Sequence, residues 1–160
     1  MTNQVKPIPD NLNTLTPNLV CRDAAGAIDF YKSVFDATEI MRMPGPGGKI
    51  MHAELKIGDS KFFINDAMTK ILPAFPEPGS TNPMYLHMYV KDVDNIFNRA
   101  VTAGARVDLP VQDMFWGDRY GVVTDPFGQQ WGIATHKEDV APEEIKRRQD
   151  SFFAKAAGQR

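Results

Sequence analysis

Two aspartates and two glycines recur in this chain at nearly the same offset. Asp23 and Asp92 stand 69 residues apart, and Gly58 and Gly128 stand 70 apart. Each aspartate follows an apolar run and opens a stretch with helical periodicity. Behind Asp23 the apolar positions are Ala24, Ala27, Ile28, Tyr31 and Phe35; behind Asp92 they are Val93, Ile96, Phe97, Ala100 and Val101. An aspartate so placed is a helix N-cap, its carboxylate accepting an amide proton that the helix cannot use. Each glycine turns the chain between two strand-like runs. One supersecondary unit used twice is the economical reading, and it is an α+β fold of two tandem βαβββ modules.

The remaining elements fall into that frame. In the first module, strands are expected over about Thr16–Cys21, Thr38–Met43, Ile50–Ile57 and Lys61–Asn65, with Asp36 stopping the helix. In the second, they are expected over Met84–Val90, Arg106–Leu109, Arg119–Thr124 and Gln130–Thr135, with Gly104 ending the helix and a loop over 110–118. The domain then reads as residues 14–140: module one about 14–68, a proline-rich linker over 69–83, and module two about 84–136. Residues 1–13 read as a flexible arm. Residues 141–160 read as a C-terminal helix, opened by Pro142-Glu143-Glu144 and striped by Ile145, Phe152, Phe153 and Ala156, which is expected to dock on the body or on a dimer mate.

Composition removes several classes of function. The net charge of −2 leaves no electrostatic footprint for nucleic acid, and Lys146-Arg147-Arg148 reads as a solvated helix face. No apolar run approaches the roughly 18 residues of a membrane span. The single cysteine, Cys21, excludes an internal disulfide and reads as a buried thiol; a cytoplasmic location is expected.

Particular runs carry a family resemblance. Pro17-Asn18-Leu19-Val20 with Asp23, Ala27-Ile28-Asp29-Phe30-Tyr31, and Thr124-Asp125-Pro126-Phe127-Gly128 resemble the glyoxalase/bleomycin-resistance/extradiol-dioxygenase module of the vicinal oxygen chelate superfamily. His52-Ala53-Glu54 before Ile57-Gly58-Asp59, Phe115-Trp116-Gly117, and Phe127-Gly128 with Trp131 are similar to its PhnB-like proteins. The resemblance implies a curved-sheet cleft, a small-molecule ligand and a homodimer. Metal-dependent members hold a divalent ion with His or Glu on the first and last strand of each module. Projected here, those positions are Thr16, Phe62, Tyr85 and Gly132, and none is an imidazole, carboxylate or thiolate. No metal or other cofactor is therefore expected.

Period-two alternation, with the apolar face given to the helix, turns Thr16, Asn18, His52, Glu54, Tyr85, His87, Tyr89, Tyr120, Thr124 and Gln130 toward the cleft. Asn18, Tyr85, Tyr89, Tyr120, Gln130 and the loop residue Trp116 are the expected ligand-binding set. His52, Glu54 and His87 are the candidate catalytic group. They read as a general base with an orienting partner, as a relocated metal site, or as a polar network shaping the cleft. Three functions stay open: a metal-independent lyase- or isomerase-type enzyme, a protein that sequesters an aromatic or cationic compound without turnover, and a divalent-metal-dependent lyase or dioxygenase with relocated ligands.

Overall fold

A computed structural model describes residues 6–68 and 84–157. The expected linker over 69–83 and the first residues of the expected arm lie outside them. The chain divides into two compact units, Met1–Thr81 and Asn82–Arg160. The first contains β1 (Asn18–Cys21), α1 (Ala24–Val34), β2 (Thr38–Pro44), β3 (Ile50–Ile57) and β4 (Ser60–Asp66). The second contains β5 (Leu86–Tyr89), α2 (Val93–Thr102), β6 (Arg106–Asp113), β7 (Asp118–Thr124) and β8 (Gln130–His136), followed by α3 (Pro142–Ala157). The sheets run β1-β4-β3-β2 and β5-β8-β7-β6, with the first pair of each parallel and the rest antiparallel. The tandem βαβββ plan is therefore present in both halves.

The helix starts follow from their caps. Asp23 accepts from the Gly26 amide and Asp92 from the Asn95 amide, each at 3.0 Å. A second acceptor reaches each helix from the last strand of its own unit. The Ala24 amide donates to Asp66 Oδ1, and the Val93 amide to Thr135 Oγ1, both at 2.9 Å. Asp36 ends α1 in the left-handed region, φ 54°. Each helix lays its apolar face on one sheet face. In unit one Tyr31, Ile28, Leu55 and Ile64 are fully buried. In unit two Val93, Val123 and Ile133 are. Each such side chain contributes about 1.5–3 kcal/mol of transfer free energy.

Three expectations need correction. The stretch 110–118 is not all loop: β6 continues through Pro110 to Asp113, leaving only 114–117 between strands. Proline is tolerated there because β6 is an edge strand, and the pairing with β7 already shifts register between Leu109 and Gln112. The first strand begins at Asn18 rather than Thr16, although the Pro17 carbonyl still accepts from the Phe63 amide at 2.8 Å. Phe62 does not face the open side of its sheet. It is buried under α1, edge-on to Tyr31.

Strand register explains the last error. Asn18 pairs with Phe63 in unit one, and His87 pairs with Gly132 in unit two, so Phe63 is the counterpart of Gly132. The spacing of Gly58 and Gly128 misled by one residue because the final turns differ in length. Ile57 faces Ser60 across the first, whereas Thr124 faces Gln130 across the second.

Candidate functional site

Each sheet has one face packed by its helix and an opposite face that carries the polar and aromatic residues. On unit one that face presents Asn18, His52, Glu54, Phe63 and Asn65. Asn18 Nδ2 donates to the Oδ1 of buried Asn65 at 2.8 Å. The His52 ring stands edge-on to Phe63, centroids 4.7 Å apart. His52 Nε2 lies 3.8 Å from Glu54 Oε1, in reach of a charge interaction but beyond a hydrogen bond. Glu54 pairs in register with Phe63 on one side and Met41 on the other. This face therefore holds one acid and one imidazole, both half-buried.

The corresponding face of unit two is aromatic. His87 stacks on Tyr120, centroids 5.5 Å apart and planes 20° from parallel. Tyr89 stands edge-on to His87 at 4.8 Å, and Trp116 edge-on to Tyr120 at 5.9 Å. Beneath them the backbone of Gly132 is closely covered. A Cβ there would meet Tyr120 Cε2, Tyr120 Oη and Tyr85 Cε2, each at 3.0 Å. Tyr120 is buried, whereas Tyr85 and Tyr89 are 47% and 64% exposed. Burial, and then a side-chain hydrogen bond with Tyr85, push the Tyr120 phenol up to about 12.

The sequence-based set missed the residue that ties this face together. Asp118 is 4% exposed. Its Oδ2 accepts from Trp116 Nε1 at 3.0 Å and from Tyr89 Oη at 3.1 Å. Its Oδ1 faces His136 Nδ1 at 2.7 Å, and His136 Nε2 faces Asp139 Oδ1 at 2.9 Å. The hydrogen bond to Asp118 raises the Tyr89 phenol pKa. The carboxylates of Asp118 and Asp139 raise that of His136. The signal lies in strand parity: Asp118 shares its face with Tyr120 on β7, but from sequence residues 110–118 read as a loop.

Gln130 and Thr124 occupy the far end of the same face. Gln130 Nε2 donates to Asp108 Oδ2 at 3.0 Å, and the Thr124 hydroxyl donates to the same oxygen. Arg119 faces the helix side, clamped by Asp94 at 2.7 and 2.8 Å. Arg147 and Arg148 pair with Glu144, and Arg148 also with Glu138, as a solvated face would. Phe152 of α3 rests on Phe115, centroids 5.5 Å apart, while Phe153 is 57% exposed.

The residues at the superfamily's metal positions do not fit a divalent ion. With register corrected they are Thr16, Phe63, Tyr85 and Gly132. The Thr16 hydroxyl donates to the Asn13 carbonyl at 3.2 Å, and Gly132 has no room for a longer side chain. Among the described residues, no three His, Cys, Asp or Glu side chains converge as a metal site.

Comparison with known proteins agrees with this architecture. The family model of the Glyoxalase/Bleomycin resistance protein/Dioxygenase superfamily matches residues 12–133, and the chain belongs to that superfamily. An uncharacterized protein of Mycobacterium tuberculosis, Rv0887c, is 44% identical over 135 residues, 82% of this chain and 79% of that one. The crystal structure of TioX from Micromonospora sp. ML1 is 27% identical with a TM-score of 0.63, covering 78% of this chain and 98% of TioX. A PhnB protein from Bacillus cereus is similar in fold, at 19% identity and a TM-score of 0.63, covering 77% and 99%. Among the described residues, no helix is long and apolar enough to cross a membrane.

Proposed function

We propose that this protein binds a small organic molecule on the aromatic face of its second unit, as a binding or sequestering member of its superfamily, with no resident divalent ion. The observation that carries the reading is the closely covered Gly132, over which Tyr85 and Tyr120 place ring atoms, with His87 stacked on Tyr120. Stacking and cation–π contacts with such rings are each worth about 0.5–2 kcal/mol. The test is a titration with 1-naphthylmethylammonium, followed by tryptophan fluorescence and by thermal shift. Saturable binding that is weakened by Tyr85→Ala and Tyr89→Ala is the expected result. Binding that both substitutions leave intact contradicts the reading.

Catalysis by His52 and Glu54 is a second reading, motivated by their 3.8 Å approach on the other unit. It requires turnover that Glu54→Gln abolishes. Stoichiometric zinc, nickel, manganese or iron in the purified protein would favour relocated ligands instead. The same proposal takes the chain as a cytoplasmic homodimer. Ile40, Met41 and Met43, 42%, 38% and 44% exposed on β2, supply apolar surface for it. Light scattering at micromolar concentration checks the assembly.

A further inference from the structure

The aromatic face of unit two closes into a ring of five residues. Asp118 accepts from Trp116, Trp116 meets Tyr120, Tyr120 stacks on His87, His87 meets Tyr89, and Tyr89 donates back to Asp118. We propose that Asp118 is the positioning residue of this site, and that it gives the site a preference for small organic cations over neutral molecules of the same shape. The inference rests on the small-molecule reading above.

Three observations support it. First, one buried carboxylate oxygen holds two ring donors that come from different elements, Tyr89 from β5 and Trp116 from the 114–117 loop. The same two rings stand edge-on at either end of the His87–Tyr120 stack, Tyr89 to His87 and Trp116 to Tyr120. Second, the carboxylate is itself over-determined. Its other oxygen faces His136, which Asp139 faces in turn, and the loop carbonyl of Gly117 accepts from the Lys137 and Glu138 amides at 2.9 and 3.0 Å. A buried acceptor tied at both oxygens is rigid, and rigid supports are what pre-organise a binding face. Third, a phenol or indole that donates to a carboxylate becomes richer in ring electron density. The attraction of a cation to a ring face grows with that density. A neutral isostere gains nothing from that density.

The experiment compares 1-naphthylmethylammonium with 1-naphthylmethanol. The native protein should bind the ammonium about tenfold more tightly. Asp118→Asn should bring that ratio to within about twofold of one. In a Tyr89→Phe, Trp116→Phe background it should change the ratio little further, because Asp118 acts through those two rings. Nuclear magnetic resonance gives a readout that needs no ligand. The chain has two tryptophans, and Trp131 donates its indole proton to Asp125 at 2.9 Å. Asp118→Asn should move the Trp116 indole resonance and leave that of Trp131 in place. Where Asp118→Asn does not fold, Tyr89→Phe at an exposed position removes one of the two bonds and should lower the cation ratio about threefold. Equal binding of the two compounds by the native protein, or an unmoved Trp116 resonance, overturns the proposal while small-molecule binding stands. Binding of neither compound overturns the small-molecule reading and the cation preference together, and the indole resonance then decides the positioning role alone.

Discussion

Gly132 and Tyr120 touch across neighbouring strands so closely that a single methyl group on the glycine would lie 3.0 Å from the ring and from its hydroxyl. Gly132→Ala should therefore force Tyr120 and Tyr85 aside. The expected cost is about 1–3 kcal/mol in denaturant unfolding, with a changed near-ultraviolet circular dichroism spectrum. An alanine variant with native stability and an unchanged spectrum would show that the rings adapt freely.

Tyr120 should ionise late. Its phenol is pushed up to about 12 by burial and then by its hydrogen bond with Tyr85. A folded pKa above the unfolded value means stability that is present below pH 10 and declines as pH rises toward 12, since the unfolded chain releases its proton first. Absorbance at 295 nm should show a late phenolate step that Tyr120→Phe removes, together with a shallower loss of stability over that range.

His136 carries a second pH signature. Two carboxylates, Asp118 and Asp139, face its two ring nitrogens, so the imidazolium, which has two donors, satisfies both. Its pKa is raised by these contacts. The stabilisation is full below about pH 6.5, the unfolded value, and is lost as pH rises through the raised folded value. His136→Gln should flatten the pH dependence of unfolding in that window. A native profile in the variant would show that exposure to solvent screens the pair.

Much of this was legible in the chain itself, because it lies in local chemistry. Capping aspartates, helical spacing and alternation locate the two module helices, α1 and α2, and seven of the eight strands closely, and the face of His87, Tyr89 and Tyr120 follows from parity alone. What local chemistry did not reveal depends on pairing. Pro110 reads as a loop until β6 is known to be an edge, and with the end of β6 hidden Asp118 reads as loop too. Phe62 and Phe63 are indistinguishable until the register with Asn18 is known. The interval of 3.8 Å between His52 and Glu54 is a matter of rotamer, which no spacing encodes.

The acceptors at the helix starts make a stability prediction. Buried Asp66 accepts from the Ala24 amide through Oδ1 and from the Ile50 amide through Oδ2, at 2.9 and 2.7 Å. Asp66→Ala leaves both donors unpaired inside the protein. The expected loss is about 3 kcal/mol, measured by urea unfolding. A loss below about 1 kcal/mol would mean that water replaces the carboxylate.

Two of the outer strands, β2 and β6, break their pairing at matching places, between Glu39 and Met41 and between Val107 and Leu109. An edge bent in this way offers an incoming strand no long flat ladder of amides and carbonyls. The exposed Ile40, Met41 and Met43 beside one of these bends would otherwise mark a fibril-forming segment. Growth of cross-β structure from these two edges should therefore be resisted in concentrated solution, and straightening either bend by deleting its extra residue should remove that protection.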